Sequence, residues 1–195
     1  MYLVDINLRE VELKTAIIGI GNILFMDEGI GVYASKYLES NYSFDKNIDI
    51  IDGGTLGFKL MRYYQEYDKV IILDTVSIED APGSVYNLPS EVLLGLGEYR
   101  KTAHEVEVVE MLEICSMLES IAKVNIIGIV PKDIESVGIG LTDAMKQSFK
   151  DYIQTLLKEL QKSGIGYRKK DDVMLDKIIQ KYANPSMKDI NDIAV

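Results

Sequence analysis

Residues 15–32, TAIIGIGNILFMDEGIGV, constrain this chain more than any other stretch. Ala16 to Ile20 is an apolar run too short for a helix, and it reads as a strand. The strand runs into a glycine turn, Gly19-Ile20-Gly21-Asn22, and then an apolar lip, Ile23 to Met26. An acidic pair follows, Asp27-Glu28, before Gly29 and Gly31 open a helix. In that helix Ile30, Tyr33, Ala34, Tyr37 and Leu38 recur at helical spacing. A strand that turns through glycine into an amphipathic helix is the first half of a strand–helix–strand unit, and such units build parallel sheets.

The alternation continues along the chain. Ile48 to Ile51 reads as a second strand leading to Asp52-Gly53-Gly54-Thr55, with Thr55 placed to cap a helix to about Tyr64. Val70 to Leu73 is apolar throughout, as in a strand covered on both faces, and it meets Asp74. Ala81-Pro82-Gly83 is a turn, and Ser84 to Leu88 reads as an antiparallel edge strand. Residues 89–101 form a long connection containing Gly95 and Gly97. Thr102-Ala103-His104-Glu105 fits a capping box, which puts His104 in a helix's first turn. Val124 to Val130 is another buried strand, closed by Pro131. Thr142 is expected to cap a helix carrying Met145, Phe149, Tyr152, Ile153, Leu156, Leu157 and Leu160.

The pattern predicts a three-layer α/β/α sandwich. Its twisted, mostly parallel sheet has about five strands, one of them an antiparallel edge strand. Residues 1–14 are an N-terminal arm, 15–162 the α/β domain, and 163–195 a C-terminal appendage. In the appendage a short helix is expected, with Leu175, Ile178, Ile179 and Tyr182 on one side and Pro185 as its stop. The appendage is either docked on the domain or used for contacts.

Composition narrows the function. A formal charge of −10 argues against nucleic acid as a partner, because phosphate binding needs a basic surface. One cysteine, Cys115, rules out an internal disulfide and a cysteine metal cluster; it lies on an apolar stripe, as a buried thiol does. No apolar run approaches the roughly 20 residues of a membrane helix. The N-terminus lacks the basic and apolar regions of a signal peptide, so a cytoplasmic protein is expected.

In a parallel sheet, ligands sit outside the carboxyl ends of the strands. Three acids fall there: Glu28 after the first strand, Asp52 after the second and Asp74 after the third. The only histidine, His104, starts a helix. Two carboxylates and an imidazole suit a divalent transition metal such as nickel, zinc or iron. A helix N-terminus disfavours the protonated ring, which would keep His104 able to ligate. Singly, each residue has a plainer use. Asp27 and Glu28 read equally well as acids offsetting a helix dipole. Asp52 reads as a turn residue. Asp74 is harder to dismiss, because a buried acid without partners is costly.

A dinucleotide fingerprint does not fit. The motif needs glycine where Leu24 stands, Asp52 lies beyond the roughly 20-residue spacing of a ribose-binding acid, and Asp27-Glu28 would face the pyrophosphate. The nucleophile elbow of serine hydrolases is absent.

Taken together the segments resemble the nickel–iron hydrogenase maturation endopeptidases. The resemblance rests on Gly19-Ile20-Gly21-Asn22-Ile23-Leu24 with Asp27-Glu28-Gly29-Ile30-Gly31. It continues through Asp52-Gly53-Gly54-Thr55-Leu56-Gly57, Asp74, Ala81-Pro82-Gly83, His104, Gly128-Ile129-Val130-Pro131 and Gly140-Leu141-Thr142. It spans about residues 15–162, and the ordered series of motifs makes it specific. It implies an endopeptidase that removes the C-terminal extension of a hydrogenase large-subunit precursor after nickel insertion. The nickel belongs to the substrate and acts as a recognition signal; the isolated enzyme is not expected to retain it. By motif position Glu28, Asp74 and His104 are expected to contact the nickel. Asp52 is expected to serve recognition or cleavage, and is the candidate catalytic base. The family often has glutamine after the histidine, where this chain has Glu105. A non-catalytic metal-sensing chaperone of the same pathway is the alternative.

Overall fold

The apolar run after Lys14 becomes strand β1, Thr15–Ile20, buried at every position. Such a strand needs neighbours on both edges and cover on both faces. The computed structural model describes residues 13–90, 92 and 122–185. Within them, β1 leads through a 3₁₀ turn, Met26–Gly29, into α1 (Ile30–Asn41). Then come β2 (Tyr42–Phe44), β3 (Ile48–Gly54), a second 3₁₀ turn (Gly57–Leu60) and α2 (Met61–Glu66). Strands β4 (Lys69–Thr75), β5 (Val85–Pro89) and β6 (Lys123–Ile129) precede α3 (Asp143–Lys162), β7 (Tyr167–Lys169) and α4 (Leu175–Ala183).

Five strands form one sheet in the order β3-β1-β4-β6-β5. Strands β3, β1, β4 and β6 run parallel, and β5 pairs antiparallel with β6 at the edge. This is the mostly parallel sheet with one antiparallel edge strand that the sequence predicts. Alternation along the strands divides the core. Ile17, Ile71, Leu73 and Ile127 meet Ile30, Tyr33 and Leu38 of α1, Leu156 and Leu160 of α3, and Ile178 of α4. Ala16, Ile18, Val70 and Ile72 meet Leu60 and Tyr64 on the α2 side. Removing one such buried aliphatic side chain costs about 2–5 kcal/mol, so the fold rests heavily on these two clusters.

Two glycines set how closely the first helix sits on the sheet. A Cβ on Gly31 would lie 2.1 Å from the Leu73 carbonyl oxygen and 2.2 Å from that of Ile20. A Cβ on Gly19 would lie 2.1 Å from the Gly31 carbonyl oxygen. The close approach that a dinucleotide motif assigns to the position of Leu24 is made here by Gly31 instead.

Some local expectations change. Thr55 does not cap a helix: Leu56 N–H donates to the Gly53 carbonyl in a turn, and Gly57 takes φ +50°. The helical path then resumes as the 3₁₀ turn and reaches α2 only at Met61. Thr142 precedes α3 but makes no side-chain cap, because its hydroxyl is directed to Asp27. Asp52 and Asp74 lie inside their strands rather than after them; the ladders run on through Gly19↔Asp52 and Asp74↔Gly128.

The described part of residues 163–185 is docked. β7 pairs antiparallel with β2. The buried Asn41 side chain receives the Val173 N–H at 2.6 Å and donates to the Val173 carbonyl at 3.0 Å. Ile178 and Ile179 of α4 join the larger core cluster. The segment 1–12, the connection with Gly95 and Gly97, the capping box at 102–105 with His104, and Cys115 lie outside the described residues.

Candidate functional site

All four parallel strands end at the same edge of the sheet. Strand order reverses at β1, since the chain continues to β3 on one side and to β4 on the other. Ligands of doubly wound sheets sit at such a switch point. Glu28 lies in the 3₁₀ turn just beyond β1, Asp52 near the end of β3 and Asp74 near the end of β4. The sequence-predicted acids therefore gather at one edge.

The turn that carries Glu28 is fixed by its neighbour. Asp27 is fully buried. Its Oδ2 accepts the backbone N–H groups of Lys132 and Asp133 at 3.0 and 2.9 Å and the Thr142 hydroxyl at 2.9 Å. Its Oδ1 accepts the Thr142 N–H at 2.7 Å. Charge-assisted bonds of this kind are about twice as strong as neutral ones. They clamp the turn after β1 onto the segment between β6 and α3. Backbone bonds reinforce the clamp: Met26 N–H donates to the Gly138 carbonyl and Gly138 N–H to the Leu24 carbonyl, each at 2.9 Å. Met26 is held in the left-handed region at φ 45°, where a side chain costs energy that the surrounding contacts must offset. Glu28 thus sits in an over-determined turn.

Asp52 lies in a cleft of about 580 Å³ between α1, the end of β3 and α4. Ser35, Lys36, Glu39, Ile178, Lys181 and Tyr182 are among its walls. Asp52 Oδ1 accepts the Gly54 N–H at 3.1 Å, and Oδ2 accepts the Tyr182 hydroxyl at 3.1 Å. The residue keeps an exposed side, yet the walls withdraw water from its carboxyl. Desolvation raises its pKa above the usual aspartate value, against the lowering effects of the two hydrogen bonds and of Lys36. Glu39 adds to the rise.

Asp74 is buried within β4. Its Oδ1 accepts the Thr75 N–H at 2.7 Å, and its backbone carbonyl accepts the Tyr152 hydroxyl at 3.3 Å. Strand alternation separates it from Asp52. Asp52 is in register with Gly19 and Leu73 on the α1 face, whereas Asp74 follows the parity of Val70 and Ile72 on the α2 face. β1 lies between their strands, so the two stand about 10 Å apart across the ladder. The carboxylates share an edge but leave opposite faces of the sheet. Among the described residues, no three histidine, cysteine, aspartate or glutamate side chains form a metal-binding group; His104, the third expected ligand, lies outside them.

Two contributors were not singled out from sequence. In the sequence Asp27 reads only as a helix-dipole acid, and no local pattern links it to Thr142, 115 positions on. Tyr182 reads only as one member of an apolar stripe, where its hydroxyl leaves no signal.

Comparison with known proteins agrees with this architecture. The family model for hydrogenase maturation proteases matches residues 32–159. The Hydrogenase 2 maturation protease of Escherichia coli K12 is 30% identical over 155 residues, covering 78% of this chain and 94% of that protein. The solved structure of the hydrogenase maturating endopeptidase HybD from E. coli superimposes with a TM-score of 0.75 at 29% identity, covering 83% of this chain and all of the other. The maturation protease HybD of Thermococcus kodakarensis gives a TM-score of 0.61 at 26% identity, covering 75% of this chain and 99% of the other. The chain belongs to the hydrogenase maturation protease family, and is an endopeptidase.

Proposed function

We propose that this endopeptidase removes the C-terminal extension of a nickel–iron hydrogenase large-subunit precursor, and that the nickel already inserted in that substrate is the signal for cleavage. Supporting the reading is the joint placement of Asp52 and Asp74 at the carboxyl ends of the strands flanking β1, in a chain of this family. Glu28, Asp74 and His104 are the proposed contacts to the substrate's nickel: two carboxylates and an imidazole completing the shell of a metal already held by the precursor.

Asp52 is the proposed general base. Its ionised carboxylate takes a proton from water as the oxygen adds to the scissile carbonyl carbon. The C–N bond then breaks, and the proton passes to the leaving amine. A base is most effective with a pKa near the working pH, and desolvation moves Asp52 in that direction. Anchoring the nickel on one side of β1 and the base on the other lets the substrate bridge the sheet edge. That alignment provides proximity.

The test is the intact mass of a large-subunit precursor after incubation with the full-length enzyme, with and without nickel. The proposal expects loss of the C-terminal peptide only from the nickel-loaded form. Equal cleavage of the nickel-free form would overturn the signal role. A stable complex with unchanged mass would favour a metal-sensing chaperone.

A further inference from the structure

The match to the family model covers residues 32–159, which leaves β7 and α4 outside that model. Nevertheless α4 reaches the candidate base. Ile178 and Ile179, 1% and 8% exposed, seat the helix in the core. The Tyr182 ring meets the edge of Tyr33 with centroids 5.5 Å apart and planes inclined by 72°. Tyr33 is fully buried in α1, so the ring of Tyr182 rests on a fixed support. From that seat its hydroxyl donates to Asp52 Oδ2 at 3.1 Å. The other carboxylate oxygen, Oδ1, accepts the Gly54 N–H of its own strand. Among the described residues each oxygen of Asp52 therefore has one donor, and the two donors come from different parts of the fold. A carboxylate held at both oxygens cannot rotate freely about its terminal torsion, which otherwise has a broad minimum.

We infer that Tyr182, supplied by the C-terminal helix α4, is a positioning residue for Asp52. It fixes the direction of the carboxylate and favours its ionised form. The inference rests on the role of Asp52 as base in the hydrolysis proposed above. The groups that face Asp52 are Lys36 and Glu39 from α1, Lys181 and Tyr182 from α4, and the Gly54 amide of its own strand. Of these, the Tyr182 hydrogen bond is the foremost influence lowering the Asp52 pKa against desolvation. Burial and the nearby Asp52 charge push the phenol's own pKa upward, so it remains a donor wherever Asp52 is ionised.

Tyr182→Phe keeps the ring on Tyr33 and removes only the donor. Two readouts follow on the full chain: the Asp52 carboxyl titrated by carbon-detected NMR without substrate, and the pH profile of nickel-loaded precursor cleavage. The variant should melt cooperatively and titrate Asp52 at higher pH than wild type. Its kcat should fall about tenfold with KM little changed, the size expected for a hydrogen bond to a charged group. The acidic limb of its profile should move to higher pH. An unmoved Asp52 midpoint overturns the inference, and so does a moved midpoint with unchanged kcat. If wild type itself leaves the precursor whole, the hydrolytic reading fails; a moved midpoint would still uphold the hold of Tyr182 on Asp52.

Discussion

The proposed base, Asp52, carries its charge in a setting that does not favour it. Its folded pKa is raised, with desolvation the largest cause, so the native state binds its proton more tightly than the unfolded chain does. By linkage, stability falls as pH rises from the ordinary aspartate range through that raised value, and above it the ionised carboxylate is a net cost. Asp52→Asn removes the charge and keeps an oxygen that can accept a hydrogen bond. The variant is expected to melt above wild type at neutral pH, with the gain vanishing near pH 3, and to lose cleavage. Calorimetry across pH checks it; an Asn variant that melts lower at pH 7 and equally low in acid would show that the site bears no such strain. The sequence places Asp52 at the right edge because its strand is apolar and the Asp-Gly-Gly that follows marks the strand's end. It does not show Tyr182, because a tyrosine at helical spacing reads as packing whether or not its hydroxyl is used.

At the scale of elements, the site depends on how the turn after β1 is held. Two devices do this: Gly31, which brings α1 against the carbonyls of Ile20 and Leu73, and Asp27, which gathers four donors from the segment between β6 and α3. The glycines stand out in the sequence, although their purpose there resembles phosphate binding until the helix–strand distance is known. Asp27 is legible only as an acid, since its partners are remote in the chain and backbone donors have no sequence signature. Asp27→Asn turns one acceptor into a donor facing N–H groups. It should cost about 1.5–3 kcal/mol in urea unfolding, the range for hydrogen bonds to a charged group. It should also slow cleavage, because Glu28 shares the turn. A change under about 0.5 kcal/mol, the level of an ordinary surface substitution, would show that the clamp is not structural.

Over the whole molecule, alternating apolar runs and helical stripes were enough to foresee the sheet, its antiparallel edge and the docking side of α1 and α3. Each of these follows from periodicity, which sequence carries directly. Periodicity does not reveal which face of the sheet each acid leaves, because that depends on register: Gly19 aligns with Asp52 and with Leu73, one residue short of Asp74. The result is an edge with the proposed base on the α1 side and a proposed nickel-contacting acid on the α2 side, joined across β1. The C-terminal segment, set apart in the sequence by its charge cluster, completes the cleft on the Asp52 side through α4. The most direct test of this arrangement is the mass of nickel-loaded large-subunit precursor after incubation with wild type and with Glu28→Gln, Asp74→Asn and His104→Ala. Wild type should release the C-terminal peptide while each variant leaves the precursor uncut; normal cleavage by all three variants would contradict the account.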